Sequence, residues 1–376
     1  MDKYYELATG NHSRLKSRLD RIFDNTREDV DVIAIINGIR VDANFFYITS
    51  YASGLFEYSA AFLFRDKHIE VLTGPLEEQA ARQKDYVVHI QRKPSQRRSM
   101  LLRMLRGVRK IGYNSHGVDH SDYLTLQKQL RGKKLIDVSQ AIEKTRIIKD
   151  PDEIDVIANA AKIISKVINN VPNLVRPRVS ERELKAEIDY QIIKNGADSP
   201  SFESIVAFGG NSALPHYTPR KRKLRRGDTV LVDIGAKLNH YCSDITRTFF
   251  FGTANDKLNR MYNTVLQTQK NALKKMREGA KAREIHLLAQ GIIDKTEFKG
   301  RFIHSLGHSL GLEVHDGYGR ALSSNSKEVL KRNMVLTVEP GIYVPGFAGV
   351  RIEDDVVVEK NGCRILTSAP KELTVI

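Results

Sequence analysis

Residues 230–251, VLVDIGAKLNHYCSDITRTFFF, put an aspartate inside each of two apolar strands. The surrounding Val, Ile, Thr, Tyr and Phe suit a half-buried pleated surface, whereas Asp is depleted there and is costly to bury without a partner. Asp233 stands between Val232 and Ile234, and Asp244 beside Ile245. Any fold that accepts this stretch must compensate two carboxylates. Read as a hairpin with its turn centred between Leu238 and Asn239, the segment sets Asp233 opposite Asp244 on one face, with Cβ atoms about 4.5–5.5 Å apart. A turn one residue later makes them diagonal neighbours. In either register the anions converge, and two metal ions about 3.5–4 Å apart fit such a gap. The competing explanation is one Asp capping a turn and the other paired with Arg247 or a lysine. It suits a single aspartate better than two at matched positions.

The same pattern recurs further on. GHSLGLEVHD (307–316) carries His308 among glycines and His315 in a strand-like stretch. LTVEPGIYV (336–344) places Glu339 in an apolar strand, and GVRIEDDVVV (349–358) places Glu353 in another. A lone Glu in a strand is usually at an edge or paired. Four carboxylates and one imidazole spread over several apolar strands form a mainly oxygen donor set, suited to Mn²⁺, Co²⁺ or Zn²⁺.

The chain is long enough, at 376 residues, for two domains. Its first 145 or so residues alternate strand and helix signals, the pattern of an α/β domain. DVIAIING and NFFYITSY read as strands, AAFLF and IEVLTG as a hairpin around RDKH, and YVVHIQ as a further strand. PLEEQAARQK, SQRRSMLLRMLRGVRK and DYLTLQKQLRGKK read as helices. A boundary follows near Lys149, where Asp150-Pro151-Asp152-Glu153 spells a helix start with a capping box. Ser180 and Glu183 open a second helix, and two more are expected at about 254–278 and 281–295. Strands fill the rest, with a tight hairpin at Asn361-Gly362. Helices and mostly antiparallel strands in separate blocks describe an α+β second domain. The expected division is 1–145 and 146–376.

Composition narrows the class. No apolar run is long enough to span a bilayer, and MDKYYELATG lacks a signal-peptide pattern. The two cysteines, Cys242 and Cys363, have no metal or redox spacing, so they read as reduced thiols in a cytoplasmic protein. The net charge is +15, concentrated in residues 91–110 and in PRKRKLRRGD (219–228). Neither basic segment interleaves the aromatics of a nucleic-acid stacking platform, which argues against that partner.

Taken in order, Asp233, Asp244, His308, Glu339 and Glu353 resemble the five-ligand set of the pita-bread metallopeptidases. The motifs NSALPHYTP (211–219), DIGAKLNHYCSDITRTF (233–249), GHSLGLEVHD, EPGIYVPG (339–346) and GVRIEDDVVV resemble the proline-specific branch, prolidases and Xaa-Pro aminopeptidases. The front domain, with NFFYITSY, is similar to the creatinase-type domain of that branch. The resemblance implies a creatinase-like α/β domain followed by a pita-bread catalytic domain and two divalent metal ions, Mn²⁺ or Co²⁺ before Zn²⁺. It also implies a homodimer acting on small peptides with proline second. The expected reaction is attack of a metal-bridging hydroxide on the Xaa-Pro bond. Glu339 would serve as ligand and proton carrier, and His216 and His315 would orient substrate and stabilise the tetrahedral intermediate. Arg351, two residues before Glu353 and so on the same strand face, and Arg320 are candidates for holding the substrate carboxylate. Dipeptidase and aminopeptidase both remain open, and a non-catalytic binding module is the reading from another class.

Two further motifs lead nowhere. Gly307-His308-Ser309-Leu310-Gly311 matches a nucleophile elbow, but no histidine follows His315 and no Asp lies between Ser309 and His315. His304 and His308 have zincin spacing, but Ser305 stands where that motif needs Glu.

Overall fold

The structure is a computed structural model that describes residues 12–317 and 321–376. The chain divides into two compact units between Arg146 and Ile147.

The first unit holds helix α1 (His12–Asp24) and a six-stranded sheet. Its strands are β1 (Val32–Ile36), β2 (Ala60–Phe64), β3 (Ile69–Thr73), β4 (Val87–Ile90), β5 (Lys110–Tyr113) and β6 (Lys134–Asp137), in the order β4-β3-β2-β1-β5-β6. The pairs β1–β2 and β2–β3 are antiparallel and the others parallel. β1, VIAII, is buried at every position, as a central strand covered on both faces should be.

The sequence reading is corrected at several points here. NFFYITSY is not a strand: Ala43–Thr49 forms helix α2. The Asp42 side chain accepts from Asn44 N–H at 2.8 Å, and Ser50, in the left-handed region, donates its N–H to Phe46 O. These caps override the β propensity of Phe, Tyr, Ile and Thr. PLEEQAARQK shrinks to single turns at Pro75–Glu77 and Glu78–Ala81. The basic stretch and DYLTLQKQLRGKK form helices α3 (Arg97–Met104) and α4 (His120–Gln129). Each is followed by a glycine at positive φ, Gly107 or Gly132, after which β5 and β6 begin. Helix α5 (Ser139–Arg146) closes the unit.

The second unit opens with α6 (Pro151–Leu174) and α7 (Glu181–Lys194). Both starts carry the capping chemistry that the sequence spelled: Asp150 N–H donates to Glu153 Oε2 at 2.8 Å, and Ser180 and Glu183 exchange bonds of 2.8 and 3.2 Å. Strands β7 (Ser199–Pro200), β8 (Ile205–Phe208), β9 (Thr229–Ile234), β10 (Ala236–Leu238), β11 (Tyr241–Cys242) and β12 (Ile245–Phe250) follow, then α8 (Asp256–Lys275) and α9 (Ala282–Asp294). The remainder holds β13 (Gly307–His308), β14 (Ala321–Leu322), β15 (Val335–Val338), β16 (Gly341–Val344), β17 (Ala348–Arg351), β18 (Asp354–Val358) and β19 (Cys363–Ile365). Among the described residues the named strands of this unit pair antiparallel throughout. β18 and β19 form the hairpin expected around Asn361-Gly362, with Val358 opposite Cys363.

Two apolar cores back these strands. α6 and α7 pack Ile164, Ile168, Ile188 and Ile192 against Val206, Val230, Val232 and Ile245. α8 and α9 pack Met261, Val265 and Ile285 with Leu336, Val338, Val350 and Val356. Because side chains alternate along a strand, Asp233, Thr246 and Arg351 fall on the faces turned away from these cores. Among the described residues, no helix is long and apolar enough to cross a membrane.

Candidate metal centre

The register of the 230–251 hairpin settles how its aspartates meet. Asp233 pairs with Thr246 in β9–β12, and Leu238 pairs with Tyr241 in β10–β11. The turn is therefore centred between Asn239 and His240, both at positive φ as a two-residue type I′ turn requires. The directly opposed register is overturned; the diagonal one holds. Between the paired stretches the hairpin bends at Gly235, where a Cβ would collide with Ser201 Oγ and Ser243 O. Asp244 lies in the bend of the other arm, outside the strands.

Glu339 and Glu353 depart from expectation in the same way. Neither is inside a strand: Glu339 lies between β15 and β16, and Glu353 between β17 and β18. Interruptions of the strands let these side chains turn into the site without spoiling a ladder. His308 does lie in a strand, and Gly307 beside it lets β13 press against Thr337 O, where a Cβ would collide. His315, expected in a strand, sits on a loop of bends.

A cavity of about 560 Å³ gathers Asp233, Asp244, His308, Glu339, Glu353, His216, His315 and Arg351 on its wall, together with Phe202, Ile205, Pro215 and His304. Arg320 lies outside the described residues.

Donor atoms of Asp244, His308 and Glu353 all lie within 4.8 Å of one another. His308 Nε2 is 3.7 Å from Asp244 Oδ2 and 3.6 Å from Glu339 Oε1. Its Nδ1 is 3.3 Å from Ser309 O, an acceptor only, so the ring proton belongs on Nδ1 and the Nε2 lone pair faces the carboxylates. Burial, then His315, lowers His308 to about 3, which keeps the ring neutral. Among the described residues, the buried oxygens Asp233 Oδ1 and Asp244 Oδ1 have no hydrogen-bond partner. Lone pairs thus converge where no proton donor meets them, an arrangement that a divalent cation satisfies.

The electrostatics agree. Burial, then Glu353 and Asp233, raises Asp244 well above the carboxylate range. Burial, then Glu339 and Asp233, does the same to Glu353. Burial raises Glu339 to about 7, with Arg351 opposing and Asp233 adding to the rise. Acids this crowded resist ionising together unless positive charge is added.

The surroundings fix each group. Thr246 Oγ1 donates to Glu353 Oε2 at 2.6 Å, and Asp244 N–H donates to Asp355 Oδ2 at 2.9 Å. Arg247 bonds Glu353 O at 2.6 Å and Asp354 Oδ1 at 2.8 Å; Asp354 also receives Lys371, Gln269 and Thr367. Arg351 does not pair with Asp354 or Asp355. Its guanidinium donates to Asp233 Oδ2 at 2.5 Å, to Tyr343 Oη at 2.8 Å and to Thr246 Oγ1 at 3.0 Å. These bonds commit all three nitrogens to the protein. The Tyr343 hydroxyl then lies 2.9 Å from His304 Nε2. His304 Nδ1 faces Ser305 O at 2.7 Å, so Nε2 accepts from the tyrosine. Burial, then Arg351, lowers His304 to about 4. No sequence motif points to His304 or Tyr343 in this role; only the folded chain brings them to Arg351. His216 and His315 are both exposed, and the His315 ring meets that of His308 edge-on at 4.2 Å.

Residues 155–360 match the model of metallopeptidase family M24, and residues 18–148 that of the creatinase/prolidase N-terminal domain. The chain is 42% identical over 241 residues to an Xaa-Pro dipeptidase of Pyrococcus furiosus, covering 64% of this chain and 68% of the relative. It is 38% identical over 269 residues to an Xaa-Pro dipeptidase of Pyrococcus horikoshii, covering 72% and 76%. Among solved structures, an X-Pro aminopeptidase from Thermotoga maritima superposes with TM-score 0.88 at 30% identity, covering 96% of this chain and 100% of that one. A prolidase from P. horikoshii gives TM-score 0.86 at 32% identity, with 95% and 99% covered.

Proposed function

The chain belongs to metallopeptidase family M24, and from that premise we propose that it hydrolyses the Xaa-Pro bond of dipeptides, with residues 1–145 as its creatinase-type domain and 146–376 as its pita-bread catalytic domain. The observation that carries the reading is the convergence of Asp244, His308 and Glu353, with Asp233 and Glu339 beside them, on one cavity. These five residues would hold two divalent ions. Mn²⁺ or Co²⁺ fits the oxygen-rich set better than Zn²⁺. Such ions supply a water nucleophile at neutral pH and polarise the scissile carbonyl.

The protein's own groups do the rest. Glu339 accepts the proton of the attacking water and delivers it to the departing proline nitrogen. His216 and His315, which line the same cavity as the donor set, orient the peptide and donate to the oxygen that becomes negative. Arg351, substrate-binding in the sequence reading, acts instead as a positioning residue: it holds Asp233 and couples it to Tyr343. Three bonds to the protein, one from each guanidinium nitrogen, support this change.

The test combines metal analysis with release of proline from Ala-Pro. Asp244→Asn removes one anionic ligand. Loss of partners one shell further out costs about 10–100-fold in metal affinity, and a direct ligand should cost at least that. Full metal content and full activity in this variant would defeat the dinuclear reading. A second cavity adjoining the site favours a second reading, cleavage of longer peptides, and Ala-Pro-Ala against Ala-Pro separates the two.

We also take the protein to be a cytoplasmic homodimer. Free Cys242 and Cys363 support the compartment. Leu55, Tyr58 and Leu76, exposed by 70%, 58% and 97% on the first unit, support association. Light scattering should give twice the chain mass, and a monomer at assay concentration contradicts it.

A further inference from the structure

The basic segment PRKRKLRRGD has no part in the chemistry above, yet it ends at the site. Its first arginines, Arg220 and Arg222, line a second cavity of about 920 Å³. That cavity shares Pro215, His216 and His304 with the one holding the acids, so the two are arms of one cleft. Different groups line its two ends. Asp233, Asp244, Glu339 and Glu353 line the first arm; arginines line the second.

The nearby acids do not neutralise Arg220. Arg222 takes both oxygens of Asp228 at 2.8 Å. Glu181, fully buried, accepts from Tyr217 Oη, Asn211 Nδ2 and the backbone N–H groups of Phe208 and Arg220. These bonds hold the Arg220 backbone in place. Among the described residues, the exposed Arg220 guanidinium itself makes no hydrogen bond or ion pair.

A short peptide is a dipole, with a cationic α-amino group at one end and a carboxylate at the other. With two divalent ions bound, the four carboxylates of the first arm are balanced, so the direction comes from the other arm, where Arg220 draws the carboxylate end toward itself. We propose that Arg220 is a specificity-determining residue that receives a peptide carboxylate on the leaving side of the scissile bond. The proposal rests on the peptidase reading above and gives that cleft a direction. It also places a cation in the role first assigned to Arg351, each of whose guanidinium nitrogens already bonds to the protein. The carboxylate is either that of proline itself or that of one further residue.

The experiment uses the metal-loaded protein, Arg220→Ala and Arg220→Glu, with Ala-Pro, Ala-Pro-amide, Ala-Pro-Ala and Ala-Pro-Ala-amide. Turnover is measured in the native background and binding by calorimetry in a Glu339→Gln background. An exposed charge pair predicts a rise of about two- to fivefold in KM and Kd for the acids on Arg220→Ala. Reversal in Arg220→Glu should bring about tenfold, shrinking at high salt, with kcat and the amides little changed. A response with Ala-Pro assigns the proline carboxylate; a response with Ala-Pro-Ala alone assigns the next residue's. Equal acid-to-amide ratios in native and variant proteins for both lengths overturn the proposal. Failure of the native protein to cleave any of the peptides would instead overturn the peptidase reading, and the calorimetric ratios would still decide the arginine.

Discussion

Glu339→Gln is expected to lower kcat for Ala-Pro by roughly 10²–10⁴-fold, the usual contribution of a positioned general base. The amide keeps the shape of the side chain and retains an oxygen that can face His308 and accept from Thr337, which lies 3.4 Å from Glu339 Oε1. What it loses is the capacity to take a proton from water and return it to nitrogen. Proline nitrogen leaves badly without that proton, because the departing group is otherwise an amide anion. Metal analysis of the same preparation separates the two jobs assigned to Glu339. Activity falling far more than metal content fits a proton carrier. A proportional fall in both marks a ligand whose proton role is minor. Near-native kcat with full metal content would remove Glu339 from the chemistry. Glu339→Asp is the companion variant: it keeps a base but withdraws it by one methylene, so partial recovery over Gln is expected.

The donor set was legible because its members break a local rule. Carboxylates in apolar stretches contradict strand propensity, and that contradiction marks a site. The α6 and α7 starts were legible for a related reason, since a capping box is a local hydrogen-bond pattern written in adjacent residues. Register was only half legible. Deciding between the opposed and diagonal pairings needs the positive φ of Asn239 and His240, and a sequence of Leu, Asn, His and Tyr admits either turn. Glu339 and Glu353 read as strand residues because the gaps that hold them are only two residues long, below what periodicity resolves. NFFYITSY was misread because two capping interactions outweigh its composition. The link from His304 through Tyr343 and Arg351 to Asp233 joins residues far apart in the chain, and no local signal announces it. Arg220 is hidden for a different reason: in a run of basic residues, nothing local distinguishes the one that lines the cleft with its guanidinium unpaired.

His216→Ala should lower kcat by about 100- to 1,000-fold while leaving the metals bound. That is the range for removal of one donor aimed at a developing oxyanion. His216 lines both arms of the cleft and is exposed. Exposure makes truncation structurally mild, so unfolding does not confuse the result. Three outcomes can be told apart by metal analysis and Xaa-Pro kinetics on one variant. A merely structural surface histidine leaves both metal content and turnover close to native. A ligand histidine gives protein short of metal, and added Mn²⁺ or Co²⁺ restores rate. A donor to substrate gives full metal content with collapsed turnover that excess metal does not rescue. Only the third agrees with the role assigned here. His315→Ala sharpens the comparison. Its ring packs edge-on against His308 at 4.2 Å, so its loss frees a metal-binding group as well as removing a donor. It should therefore cost some metal affinity, where His216→Ala costs none.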